Sequence, residues 1–65
     1  MVLNVHLIKL TLAEKELTIS QYAELCGISR QNVSTILRRG TCSPITAGKL
    51  AKGLGVCVSE IVKEQ

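Results

Sequence analysis

Residues 17–37 read LTISQYAELCGISRQNVSTIL, and this stretch decides the fold. Thr18 is placed to accept backbone N–H groups at the start of a helix while Gln21, three residues on, reaches back to the cap, so Thr18-Ile19-Ser20-Gln21 has the form of a capping box. The helix it opens carries Tyr22, Ala23, Leu25 and Cys26 as apolar positions and is expected to stop at about Cys26. There Gly27 supplies a residue that takes positive φ without a Cβ penalty. Ser29 offers the next hydroxyl cap, so only Gly27 and Ile28 separate this helix from its successor. A link so short forces the two helices to cross steeply and share a core.

The second of these helices, residues 30 to about 38, divides into two faces at about 100° per residue. Val33, Ile36 and Leu37 fall on one side, with Ile28 closing the cluster from the turn. Gln31, Thr35 and Arg38 point the opposite way, flanked by Arg30 and Ser34 on one edge and by Asn32 and Arg39 on the other. Such a face holds donors and acceptors suited to base edges and phosphates, and no carboxylate to repel them. A solvated helix face of no function has the same composition, so the layout, that of a helix-turn-helix, is weighed together with charge. All five acidic residues, Glu14, Glu16, Glu24, Glu60 and Glu64, lie outside residues 25–59, whereas Arg30, Arg38, Arg39, Lys49 and Lys52 lie inside. A positive band centred on the exposed helix is the electrostatic footprint of a phosphate-binding surface, and double-stranded DNA is the first partner to consider.

The rest of the chain reads as supporting helices. Asn4 caps a first helix running to about Lys15, with Leu7, Ile8, Leu10, Leu12 and Leu17 supplying its packing side. Residues 2–8 also alternate as a short strand would, but a lone strand has no sheet to join, and helix is favoured. Ser43 followed by Pro44 is a hydroxyl cap and a proline whose missing N–H costs nothing at the first helical position, so a fourth helix is expected over residues 44–54, ended by Gly55. Gly48 and Gly53 each weaken it by roughly 1 kcal/mol relative to alanine, which suggests a close helix contact at one of them. Residues 58–63 make a short fifth helix with Val58, Ile61 and Val62 inward and Cys57 at its cap. No repeat, linker or low-complexity segment appears, and the fold class is an all-α, compact five-helix domain over residues 1–65.

Composition narrows the function. A chain of 65 residues is one small domain that buries only about 60% of its unfolded surface, so oligomerisation would help it. The hydrophobic fraction of 46% is almost all aliphatic, enough for a core with apolar surface to spare. Tyr22 is the single aromatic residue, and the stacking platform that holds single-stranded bases is missing. No export signal or membrane span opens the sequence, since Asn4, His6 and Lys9 interrupt its apolar patches, and a cytosolic protein without membrane contact is expected. Cys26, Cys42 and Cys57 are too few and too widely spaced for a disulfide framework, and with His6 they do not follow zinc-ligand spacing. No metal, cofactor or small-molecule ligand is expected. A lone His6, scattered thiols and no aspartate leave no acid, base and nucleophile at contact spacing, so an enzyme is disfavoured.

Set in order, Leu17-Thr18, Tyr22-Ala23, Gly27-Ile28-Ser29, Val33-Ser34, Ile36, Arg39-Gly40, Pro44, Leu50-Ala51-Lys52, Leu54-Gly55-Val56 and Glu60-Ile61-Val62 resemble the phage repressor and Cro type of helix-turn-helix, the XRE family. The resemblance covers roughly residues 8 to 62 and rests on ordered spacing, not on one specific motif. It implies a repressor-like domain that docks its third helix in the major groove, usually as a homodimer on a palindromic site. By position it implies Arg30, Gln31 and Thr35 as base readers, with Asn32 and Ser34 nearer the phosphates. Arg38 and Arg39 would approach the DNA backbone from the end of the helix. The N–H groups of residues 18–20, from Thr18 to Ser20, would meet a phosphate.

The sequence also departs from the family pattern. Ile19 stands where the family commonly has a phosphate-holding glutamine, leaving that contact to backbone or Ser20, and Leu12 replaces a common arginine of the first helix. The stretch from Gly27 to Gly40 is one residue longer than usual and the one from Pro44 to Ala51 shorter, which leaves the loop between the third and fourth helices open. The alternative to a DNA-binding regulator is a protein-interaction module of the same fold, such as an antitoxin or accessory subunit, for which the aliphatic content is the motive. Candidate dimer surfaces are the fifth helix around Val58, Ile61 and Val62 and the apolar arm of residues 1–5.

Overall fold

The computed structural model describes residues 1–63; Glu64, one of the acids counted above, lies outside them. Five helices follow one another: α1 (Val5–Glu14), α2 (Ile19–Cys26), α3 (Arg30–Arg39), α4 (Pro44–Leu54) and α5 (Val58–Ile61). The local signals act where the sequence places them. Asn4 Oδ1 accepts from the Leu7 N–H at 3.1 Å to open α1, and Thr18 and Gln21 close the capping box in both directions, at 3.1 and 2.9 Å. Ser29 and Ser43 accept from the N–H groups three residues on, those of Asn32 and Thr46, at 3.2 and 3.3 Å. Gly27 and Gly40 end α2 and α3 at φ 71° and 76°, a conformation open to glycine because no Cβ meets the neighbouring carbonyl.

Tyr22 is the centre of the core. Its ring is fully buried, and its hydroxyl donates to the Leu50 carbonyl of α4 at 2.7 Å, so the one polar atom on the ring is satisfied. Around it pack Ile8 and Leu12 of α1, Val33 and Leu37 of α3, Leu50 and Leu54 of α4 and Ile61 of α5. The close contact expected in α4 falls at Gly53. A Cβ there would collide with Sγ of Cys26 and come within 3.0 Å of the Tyr22 ring, whereas one at Gly48 would meet nothing within 4 Å.

Several expectations need correction. Leu10 is about half exposed, because it lies two residues from both Ile8 and Leu12 and a helix turns it to the opposite face. Leu25 faces outward on α2 in the same way. The fifth helix ends at Ile61 and not at Lys63, since Val62 turns extended and pairs with Leu3. The N-terminal arm does have a partner. Val2 pairs antiparallel with Thr41 and Leu3 with Val62, through Leu3 N–H to Gly40 O, Cys42 N–H to Met1 O, Asn4 N–H to Ile61 O and Lys63 N–H to Val2 O, at 2.8 to 3.0 Å. The arm thus lies between the loop that follows α3 and the segment that follows α5. Leu3 and Ile61 are buried within the chain itself, which removes the apolar centre of the dimer surface expected there.

Candidate nucleic-acid interface

The helix α3 separates its residues by face as its periodicity requires. Val33 and Leu37 are buried against the core and Ile36 is half-buried, which fixes the rotation of the helix. Arg30, Gln31, Asn32, Ser34, Arg38 and Arg39 are then exposed on the remaining sides. Thr35, expected in the middle of the open face, is half-buried at its edge. At about 1.5 Å per residue the helix is some 15 Å long. Arg38 and Arg39 occupy its last turn, where the partial negative charge of the helix end favours cations.

At the start of α2 both Thr18 groups take part in the cap: the N–H donates to Gln21 Oε1 and Oγ1 accepts from the Gln21 N–H. The N–H groups of Ile19 and Ser20, in the first helical turn, have no carbonyl within the helix to bond and remain for an anion. Of the donors expected at this end, the Thr18 N–H is therefore not free and the Ser20 hydroxyl is exposed.

A groove runs along one flank of α3. It is lined by Asn32, Thr35 and Arg39 of α3, by the turn at Gly27 and by Thr46 and Lys49 of α4. Sequence reasoning assigned no role to Thr46, and it counted Lys49 only as charge. Their spacing of three places both on one side of α4, but nothing local says which helix that side meets.

The thiols stand outside this surface. Burial, foremost, pushes the Cys26 and Cys42 thiols up from their ordinary range, and burial beside Cys26 pushes the Tyr22 phenol far up as well. All three stay neutral at physiological pH and serve packing. Among the described residues no helix is long and apolar enough to cross a membrane.

The family described as helix-turn-helix matches residues 8–61. That span holds α2 to α5 whole and most of α1, so the match is to the entire fold and not to its two central helices alone. No curated protein and no solved structure matches the chain significantly. With the family model covering most of its length, the chain belongs to the helix-turn-helix family of DNA-binding domains, in the branch of the phage repressors and Cro.

Proposed function

We propose that this protein is a sequence-specific double-stranded-DNA-binding regulator of transcription that works in the cytosol by placing α3 in the major groove. The observation that carries this reading is the division of α3: Val33 and Leu37 are locked in the core while Arg30, Gln31, Ser34 and Arg38 stand in solvent. Arg30, Gln31 and Thr35 serve as base readers, since their donors and acceptors match the edges displayed in the major groove. Ser20, Asn32, Ser34, Arg38, Arg39 and the Thr18 hydroxyl face the phosphates, which set register without carrying sequence. Selection from random duplexes at two salt concentrations tests the proposal. The expected result is an enriched site whose affinity falls with salt; undetectable or salt-independent binding overturns it.

A homodimer is part of the same reading, because two copies of so small a domain double its contacts on a palindromic site. A monomeric mass by light scattering at tens of micromolar protein, a range of ordinary assembly constants, would overturn it. A second reading, a protein-interaction module, draws on Leu25 and Ile45, which are 58% and 77% exposed. Capture of a specific partner with affinity unchanged by Arg30→Ala and Arg38→Ala would favour that reading over DNA.

A further inference from the structure

We infer that the outward stripe of α4 packs against the outward stripe of α1 of a second copy of the chain, with Leu10 of one copy seated over Gly48 of the next and Glu14 paired with Lys52. The contact does not depend on how α3 is used, and because its two surfaces differ it repeats from copy to copy without closing on a pair.

Two departures from an ordinary solvated helix coincide on α4. Ile45 leaves most of a large apolar side chain in water. Gly48, three residues on, disfavours the helix that contains it, and nothing in the fold lies within 4 Å of where its Cβ would stand, so no packing inside the chain accounts for it. A glycine on an outward face leaves a hollow in which a side chain of another helix can approach the backbone. Lys52, four residues further, is exposed on the same stripe, and α4 carries no acidic residue. The occupant follows from matching spacing and charge. On α1, Leu7, Leu10 and Glu14 recur at the same intervals of three and four residues; Leu7 is half-buried, Leu10 half exposed and Glu14 exposed. Laid parallel, the two stripes set Leu7 beside Ile45, Leu10 in the hollow at Gly48 and Glu14 opposite Lys52, so apolar groups meet apolar groups and the charges are complementary. Stripes of three residues bury well under about 1,200 Å², the range of weak contacts, so the association belongs to high protein concentration.

The test is sedimentation equilibrium of the whole chain between about 20 μM and 1 mM protein. The weight-average mass is expected to keep rising past that of two chains. Glu14→Lys and Lys52→Glu should each weaken the association at least about tenfold by setting like charges face to face, and the two changes combined in one chain should restore it. Ile45→Gln with Lys52→Gln breaks the α4 stripe, and Leu10→Gln with Glu14→Gln breaks the α1 stripe. Each of these double variants should lose the growth in mass, whereas their equimolar mixture should be heavier than either alone, because each supplies the stripe that the other lacks. All four positions are exposed, so the core is left as it is. A mass that stays at one or two chains across the range overturns the proposal. Growth that survives the double variants, or a mixture no heavier than its parts, overturns it as well, and none of these results bears on duplex binding by α3.

Discussion

The backbone N–H of Leu3 donates to the carbonyl of Gly40 at 2.8 Å, tying the N-terminal arm to the residue that ends the exposed helix α3. The Leu3 side chain is 2% exposed, so the same residue that anchors the end of α3 by hydrogen bonding also fills the core. A domain of 65 residues has a total stability of about 3 to 10 kcal/mol. Leu3→Ala is expected to remove about 2 to 5 kcal/mol of it, as buried leucine truncations do. Urea denaturation of the variant checks this, and hydrogen exchange at the Cys42 amide, which donates to Met1 O, should accelerate together with that at Leu3.

Replacing the exposed face of α3 separates reading from holding. Gln31→Ala and Thr35→Ala are each expected to cost about 1 to 3 kcal/mol on the preferred site and to broaden the selected sequences. Arg38→Ala should weaken every duplex alike and flatten the salt slope by about one unit. Selection profiles and salt titrations of the three variants give the two signatures.

The two glycines inside α4 should respond to alanine with opposite sign. At Gly48 nothing lies within 4 Å of an added Cβ, so Gly48→Ala is expected to stabilise by about 0.5 to 1 kcal/mol through helix propensity. At Gly53 the added methyl meets Sγ of Cys26 and the Tyr22 ring, and overpacking of about 1 to 3 kcal/mol outweighs that gain. Thermal melts of both variants, with Cys26→Ala as a partial rescue of Gly53→Ala, decide it.

Glu16 occupies the left-handed region at φ 55° in the turn between α1 and α2, where a side chain is strained by roughly 1 to 2 kcal/mol. Glu16→Gly relieves that strain but frees the unfolded chain, for an expected net gain of about 0.5 kcal/mol. A higher melting temperature checks it; a lower one means that the glutamate makes a compensating contact.

Alkaline pH should unfold the protein by way of its buried acids. A thiol or phenol whose folded pKa lies above its unfolded value keeps its proton in the fold while the unfolded chain loses it, so stability is full below the unfolded pKa and declines above it. Burial raises Cys26, Cys42 and Tyr22 in this sense. The decline is expected to start near about pH 8.5 with the thiols and to steepen above about pH 10 with the phenol. Tyr22→Phe should abolish the steeper part, at a cost of about 0.5 to 1.5 kcal/mol for the lost hydrogen bond to Leu50 O. Chemical denaturation across the pH range reads both segments.

The sequence by itself determined the first four helices, their caps and the buried side of α3, because each of those depends on groups within about four residues of one another, whereas the end of α5 was set by the pairing of Val62 with the distant Leu3. Thr18 and Gln21 find each other across one turn whatever the rest of the chain does, and the spacing of Val33 and Leu37 orients Gln31 outward as soon as the core forms. Only the tertiary structure decided that the arm pairs with Thr41 and Val62, that Gly53 and not Gly48 faces Cys26, and that Lys49 and Arg39 line the same groove. Those relationships join segments far apart in the chain, and which surfaces meet is settled by the packing of the whole core around Tyr22, for which a local pattern carries no signal.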